Sequence, residues 1–292
     1  MADNFSKVTV AVVQAAPVLF NREASVEKAC RLAGEAAAQG AKVILFPEAF
    51  VPAYPRGMTF GTTVGSRNPQ GRLTWQAYWA NAVDIPSPAT AALAEAAAQS
   101  RAYLIIGVIE RDTQFSRGTL YCTILYFGPD GKLLGKHRKL KPTAGERLIW
   151  GEGDGSTLTV INTEFGKIGG LICWENYMPL ARNAIYESGA QILAAPTWDK
   201  SPHWLQSMQH IAREGGLFVI SVCMALTIDE IPDDYEFKKL YPIDRKWINA
   251  GNSCMICPKG QLMASPLEAA EGILYADIDL NVITEAKRMF DV

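Results

Sequence analysis

Ile168-Gly169-Gly170-Leu171-Ile172-Cys173-Trp174-Glu175-Asn176 is a short apolar run that reaches a cysteine and then breaks into polar and aromatic residues. A run of this length bounded by a polar break reads as a buried strand. That puts Cys173 at the strand's exit, where a side chain can leave the core and meet a ligand. A structural cysteine would more often sit inside the apolar run.

Outward from this strand, strands and helices alternate. Val8 to Val13 reads as a buried strand. Glu23 to Gln39 reads as a helix with apolar positions at Val26, Cys30, Ala33 and Ala37, closed by Gly40. Val43 to Phe46 is a strand stopped by Pro47, Pro88 to Ser100 an alanine-rich helix, and Tyr103 to Ile109 a strand. Leu120 to Phe127 and Lys132 to Lys139 flank Gly128-Pro129-Asp130-Gly131, a hairpin turn signal. Leu158 to Asn162 and Lys167 to Cys173 form a second hairpin around Phe165-Gly166. Helix Pro179 to Ser188, strand Gln191 to Ala195, helix His203 to Glu214 and strand Phe218 to Cys223 come next. A third hairpin around Pro258-Lys259-Gly260 and the strand Ile273 to Ile278 follow. This order predicts an α/β protein of mixed sheets with helices on their outer faces. Two less regular stretches, Val51 to Trp79 and Leu226 to Ile248, carry many aromatics and read equally as binding-site walls or as surface excursions.

Composition narrows the class. The chain has 292 residues, 49% hydrophobic and 20% charged, with a net charge of −2. That suits a globular protein with a large core and gives no sign of nucleic-acid or anionic-membrane binding. No apolar stretch approaches the roughly 20 residues a membrane span needs. The start, Met1-Ala2-Asp3-Asn4-Phe5, lacks the charged and apolar regions of a signal peptide. The six cysteines read as free thiols in a reduced, cytoplasmic setting.

A cysteine nucleophile needs a base or positive charge nearby and a donor where negative charge develops. Glu48 ends the Phe46-Pro47 strand exit. Partial burial would raise its pKa into a useful range, although a solvated turn carboxylate is the plainer reading taken alone. Lys139 ends a hairpin strand in Lys136-His137-Arg138-Lys139 and could hold a thiolate or a charged intermediate. Taken alone, that run reads as a basic edge strand. Glu146 could be a second carboxylate orienting Lys139 or a water, or a surface partner of Arg147. Cys254-Met255-Ile256-Cys257 lacks a second ligand pair and reads as core. His203 and His210 lack metal-ligand partners, so no metal is expected. Gly151-x-Gly153-x-Gly155 does not open a helix after a strand and reads as a turn.

Phe46-Pro47-Glu48, His137-Arg138-Lys139-Leu140, Pro142-Thr143-x-x-Glu146-Arg147 and Cys173-Trp174-Glu175-Asn176 occur in this order. Together they resemble the nitrilase superfamily of carbon–nitrogen hydrolases, over essentially the whole chain as one domain, residues 1–292. The resemblance implies a four-layer α-β-β-α sandwich and a Glu48, Lys139 and Cys173 triad with Glu146 as accessory carboxylate. It also implies no cofactor. Cys173-Trp174-Glu175-Asn176 looks like true nitrilases, where amidase-like members commonly have Tyr or Arg and then Asp after the cysteine. So do Arg147 to Ser156 and Phe50-Val51-Pro52-Ala53-Tyr54-Pro55. The implied reaction is nitrile plus two waters to carboxylic acid plus ammonia, through a cysteine thioimidate and thioester. An amidase of the same superfamily and a catalytically silent scaffold acting through partners are the alternatives. Tyr54, Trp174 and Trp198 suggest an aromatic-lined substrate pocket. Nitrilases usually continue with a Gly-His-Tyr-x-Arg-Pro segment and a tail, whereas this chain ends at Phe290-Asp291-Val292. The expectation is therefore a homodimer or higher homo-oligomer through Pro179 to Ser188 and His203 to Glu214, rather than large filaments.

Overall fold

The computed structural model describes residues 7–65, 69, 71–242 and 244–290, without the side chain of residue 236. In chain order its strands and helices are β1 (Val8–Gln14), α1 (Arg22–Ala38), β2 (Val43–Leu45), α2 (Arg72–Ala80), α3 (Pro88–Ser100), β3 (Tyr103–Arg111), β4 (Leu120–Phe127) and β5 (Leu133–Arg138). There follow β6 (Val160–Thr163), β7 (Gly166–Gly170), α4 (Pro179–Glu187), β8 (Ile192–Thr197), α5 (Pro202–Gly215), β9 (Phe218–Cys223), β10 (Ala225–Thr227), β11 (Trp247–Ile256), β12 (Leu267–Glu268), β13 (Gly272–Ile278) and α6 (Asn281–Met289).

Two mixed sheets result. One has the order β13-β1-β2-β3-β4-β5, and the other β10-β11-β9-β8-β7-β6, with β12 on β11. β1, β2 and β3 run parallel, as do β7, β8 and β9, and the outer strands of both sheets are antiparallel.

The layering follows from side chains that are apolar on both faces of the parallel strands. Val8, Val10 and Val12 of β1 and Ile192 and Ala194 of β8 point into a core between the sheets. Their neighbours Ala11 and Val13 pack outward with Val26, Ala29 and Ala33 of α1 and Leu93 and Ala97 of α3. Leu193 and Ala195 of β8 pack outward with Ala181 and Ile185 of α4 and Trp204 and Met208 of α5. This is the expected four-layer α-β-β-α sandwich. Helices α1, α3 and α5 are held at their starts by side-chain caps: Asn21 accepts from Ala24 N–H, Ser87 from Thr90 N–H and Ser201 from Trp204 N–H.

Three expectations change. The Val51 to Trp79 stretch contains α2, which buries only Tyr78 and so shows no apolar stripe to read. The third hairpin reduces to a single bridge between Ile256 and Leu262, and β11 pairs instead with β12 further on. The strand carrying the opening motif stops at Gly170, so Cys173 opens a 3-10 turn, Cys173–Tyr177, rather than ending the strand itself.

Candidate active site

The carboxyl ends of β2, β7 and β8 meet between the two sheets, where open α/β sheets commonly place their ligands. Glu48 stands three residues beyond β2, Cys173 three beyond β7, and Thr197 closes β8. Lys139 follows directly on β5, its N–H donating to the Cys122 carbonyl at 2.8 Å.

Backbone strain marks these junctions. Ala49, Ala144 and Cys173 all have left-handed φ, 51°, 47° and 51°. For residues with a Cβ this costs on the order of 1–3 kcal/mol each, and it concentrates where structure is held for function. Gly107 of β3 makes room for the Glu48 crossing, since a Cβ there would lie 2.4 Å from the Pro47 carbonyl oxygen and 2.8 Å from Glu48 Cα.

The Cys173 turn is held from both sides. Asn176 Nδ2 donates to the Leu171 carbonyl at 2.9 Å and the Cys173 carbonyl at 2.8 Å. Glu175, only 1% exposed, accepts from Ile172 N–H at 2.6 Å and from Leu140 N–H at 2.5 Å, and meets His137 Nε2 at 3.0 Å. Glu175 thus ties the cysteine turn to the segment carrying Lys139. The opening motif contained these residues, but no local pattern distinguishes a clamp from a solvated turn.

Lys139 is fully buried between two carboxylates: its Nζ donates to Glu48 Oε1 at 2.7 Å and Glu146 Oε2 at 2.8 Å. Glu146 also accepts from Thr143 N–H at 2.6 Å and from the Tyr54 hydroxyl at 2.6 Å. Its expected surface alternative, a pair with Arg147, does not form; Arg147 Nε donates to the Pro142 carbonyl. Glu48 accepts from Trp198 N–H at 3.1 Å, and it stands near enough to Cys173 for each to shift the other's acidity. Thr197 Oγ1 donates to Cys173 Sγ at 3.1 Å, so the sulfur acts as acceptor there and keeps its own hydrogen free.

The electrostatics favour a neutral thiol beside a strengthened base. Burial is the main influence on Glu48 and pushes it up, with Glu146 adding, against the pull of Lys139; the net shift is upward. Burial pulls Lys139 down, but the acids around it, Glu48 first, outweigh this and keep it well above its usual range. Cys173 is pushed up to about 12 by burial and by Glu48, against Lys139 and the hydrogen bond from Thr197.

Cys173 opens onto a cavity of about 880 Å³ whose lining includes Tyr54, Leu148, Trp174, Trp198 and Ile248. Tyr54 stacks on Trp198 with ring centroids 4.7 Å apart, while Trp174 is half exposed and donates its indole N–H to Asp199 at 2.9 Å. A second thiol, Cys122 of β4, also reaches the base, its Sγ 3.7 Å from Glu48 Oε1. Among the described residues no group of three or more His, Cys, Asp and Glu could hold a metal. None of their helices is long and apolar enough to cross a membrane.

A carbon-nitrogen hydrolase family model matches residues 9–288. Nitrilase 1 of Arabidopsis thaliana is 46% identical over 289 residues, covering 97% of this chain and 82% of that protein. An aliphatic nitrilase of Sinorhizobium fredii is 47% identical over 287 residues, 98% and 91% of the two chains. A bifunctional nitrilase/nitrile hydratase of Nicotiana tabacum is 46% identical, covering 100% of this chain and 84% of that one. The crystal structure of a carbon-nitrogen hydrolase from Helicobacter pylori shares the fold with a TM-score of 0.74 at 21% identity, covering 98% of this chain and 94% of that one.

Proposed function

The chain belongs to the carbon-nitrogen hydrolase family, in its nitrilase branch, and we propose that its reaction runs through Cys173 as nucleophile, Glu48 as proton carrier and Lys139 as charge stabiliser, with Glu146 holding Lys139. It is a thiol nitrilase that converts an organic nitrile to the carboxylic acid and ammonia. The observation that carries the residue assignment is the buried chain from Glu146 through Lys139 to Glu48, ending at the thiol that faces the cavity.

The resting thiol sets the first step. With Cys173 at about 12, thiolate is scarce at neutral pH, so proton transfer to Glu48 accompanies attack of sulfur on the nitrile carbon. The C–S bond forms, the nitrile π pair moves to nitrogen, and the proton returning from Glu48 gives a neutral thioimidate. Lys139, itself fully buried, offsets charge building on that nitrogen, where a fixed charge counts for more than in bulk water. Glu48 then takes a proton from water as its oxygen adds to the thioimidate carbon. Protonated nitrogen leaves as ammonia and a thioester remains. A second water, activated in the same way, breaks the C–S bond, releases the acid and restores the thiol. Tyr54 and Trp198 form the aromatic wall for the substrate, and Trp174 its outer edge. Subunits pair through α4 and α5, where Leu180 stands 85% exposed.

Acid-quenching the enzyme during turnover of a slow nitrile and mapping the adduct by peptide mass spectrometry tests the assignment. An acyl group on the Cys173 peptide is expected, with ammonia and acid accumulating in equal amounts. An adduct on Cys122, or turnover with no adduct on Cys173 under any quench, would overturn it.

A further inference from the structure

The cavity is apolar and aromatic near Cys173, but its rim has a different character. Arg56, Lys200 and Arg245 all line it. Among the described residues none of the three makes an ion pair. Lys200 Nζ reaches only the Ile248 carbonyl, at 3.4 Å, and Arg245 Nε donates to the Trp247 carbonyl at 2.9 Å. Three acids also line the cavity. Two are occupied: Glu146 by Lys139, Tyr54 and Thr143, and Asp199 by the Trp174 indole and Ser201 N–H. The third, Glu268, is exposed on β12.

The cations stand close enough to act on one another. Burial is the first cause that lowers Lys200 and Arg245 the second, with Arg56 adding a smaller push, against Cys223 and Glu268, which raise it. A half-buried ammonium that shares one cavity rim with two guanidinium groups, none of them ion-paired among the described residues, is a place where positive potential converges.

Lys200 also lies in register with the nucleophile. It stands three positions after Thr197, whose hydroxyl donates to Cys173 Sγ. Three extended residues span at most about 11 Å. Cys173 and Lys200 line the same cavity, so a small molecule can have its cyano carbon at the thiol and its far end at the cationic rim.

We propose that the preferred substrate carries a carboxylate at the end remote from its cyano group, and that Lys200, with Arg56 and Arg245, selects it. This rests on the nitrilase reading of Cys173 and deepens it. The aromatic wall of Tyr54 and Trp198 packs the apolar middle of such a molecule, and the rim receives its charged end.

The test compares terminal cyanopropanoate, cyanobutanoate and cyanopentanoate with their methyl esters, which keep the shape and lose the charge. The measured quantity is the ratio of kcat/KM for acid to that for ester, by ammonia release. At low salt the best acid of the series should exceed its ester by about tenfold, the scale of one charge-assisted contact. The ratio should shrink as salt is added. In Lys200→Met it should fall toward one, and in Arg56→Gln it should fall by a smaller factor. Because each variant is read as a ratio, a general loss of activity cancels. Wild-type ratios at or below one across the series, or a ratio untouched by Lys200→Met, would overturn the proposal. Hydrolysis of the esters at any rate leaves the nitrilase reading standing, so the two readings fail separately.

Discussion

Two cysteines approach the same carboxylate from different parts of the sandwich. Cys122 lies inside β4, its side chain packed between the sheets at 1% exposure and its sulfur 3.7 Å from Glu48. Cys173 lies in a 3-10 turn with left-handed backbone, 6% exposed and facing the cavity. Burial raises both thiols, Cys122 well above its usual range and Cys173 to about 12. Neither nearness to the base nor acidity therefore separates them. Access separates them: an attacking sulfur needs an open side toward the electrophile, and only the turn gives it one. The comparison teaches that this nucleophile is made by chain geometry at the end of β7, with the proton acceptor supplied separately.

Exchanging the two thiols breaks the comparison most directly. Cys173→Ala should lower kcat/KM for any nitrile by at least about 10⁴-fold, because the covalent route is lost. Cys122→Ala removes a small buried group outside the cavity and should cost less than about tenfold. Its main effect should be a loss of about 1 kcal/mol in stability, read by urea denaturation. Equal losses of activity in the two variants would mean that access does not decide the role.

Changing the base tests the shared partner. Glu48→Gln should cost on the order of 10³-fold in kcat/KM, the middle of the range of general acid–base contributions. The pH profile follows from the directions of shift. Glu48 must be ionised to accept the thiol proton, and its pKa is raised from 4.5. Activity should therefore be full above the raised value and fall as pH drops through it. With Cys173 at about 12, no further rise should appear between neutral and mildly alkaline pH. Iodoacetamide labelling of Cys173 should follow the same acid limb and lose it in Glu48→Gln. A labelling rate that climbs toward pH 9 would instead indicate a free thiolate.

The contrast between the thiols also explains what could be read in advance. Lys139 follows the basic run Lys136-His137-Arg138 and is legible only beside the other motifs, whereas Glu48 and Cys173 each follow an apolar run that ends abruptly and so marks the exit. The layered fold was legible for the same reason, since β1, β3 and β8 are apolar on both faces. Helix α2 was hidden, because Gly71 before it and the aromatics Trp75, Tyr78 and Trp79 within it look like a loop. Glu175, Thr197 and Cys122 were hidden for a different reason. Their roles rest on partners far along the chain, such as His137, 38 residues from Glu175, and no local pattern encodes a contact at that separation.

Glu175 allows a finer test of whether geometry at the turn is what matters. Its Oε1 accepts from Leu140 N–H and its Oε2 from Ile172 N–H, while His137 Nε2 faces both oxygens. A glutamine has nearly the same shape, but whichever way its amide turns, the NH₂ must confront one of those backbone N–H groups. Either the Cys173 turn or the Lys139 segment then loses its anchor. Glu175→Gln should lower stability by about 1–3 kcal/mol, the cost of a buried donor left unpaired. It should lower kcat by roughly 10- to 100-fold, the scale of a small misplacement of reacting groups. KM should change little, because the side chain is buried away from the cavity wall. The acid limb set by Glu48 should keep its position, since Glu175 moves no proton in the reaction. A displaced acid limb would make Glu175 part of the proton path. An unchanged kcat would mean that Asn176, bonded to the Leu171 and Cys173 carbonyls, holds the turn unaided.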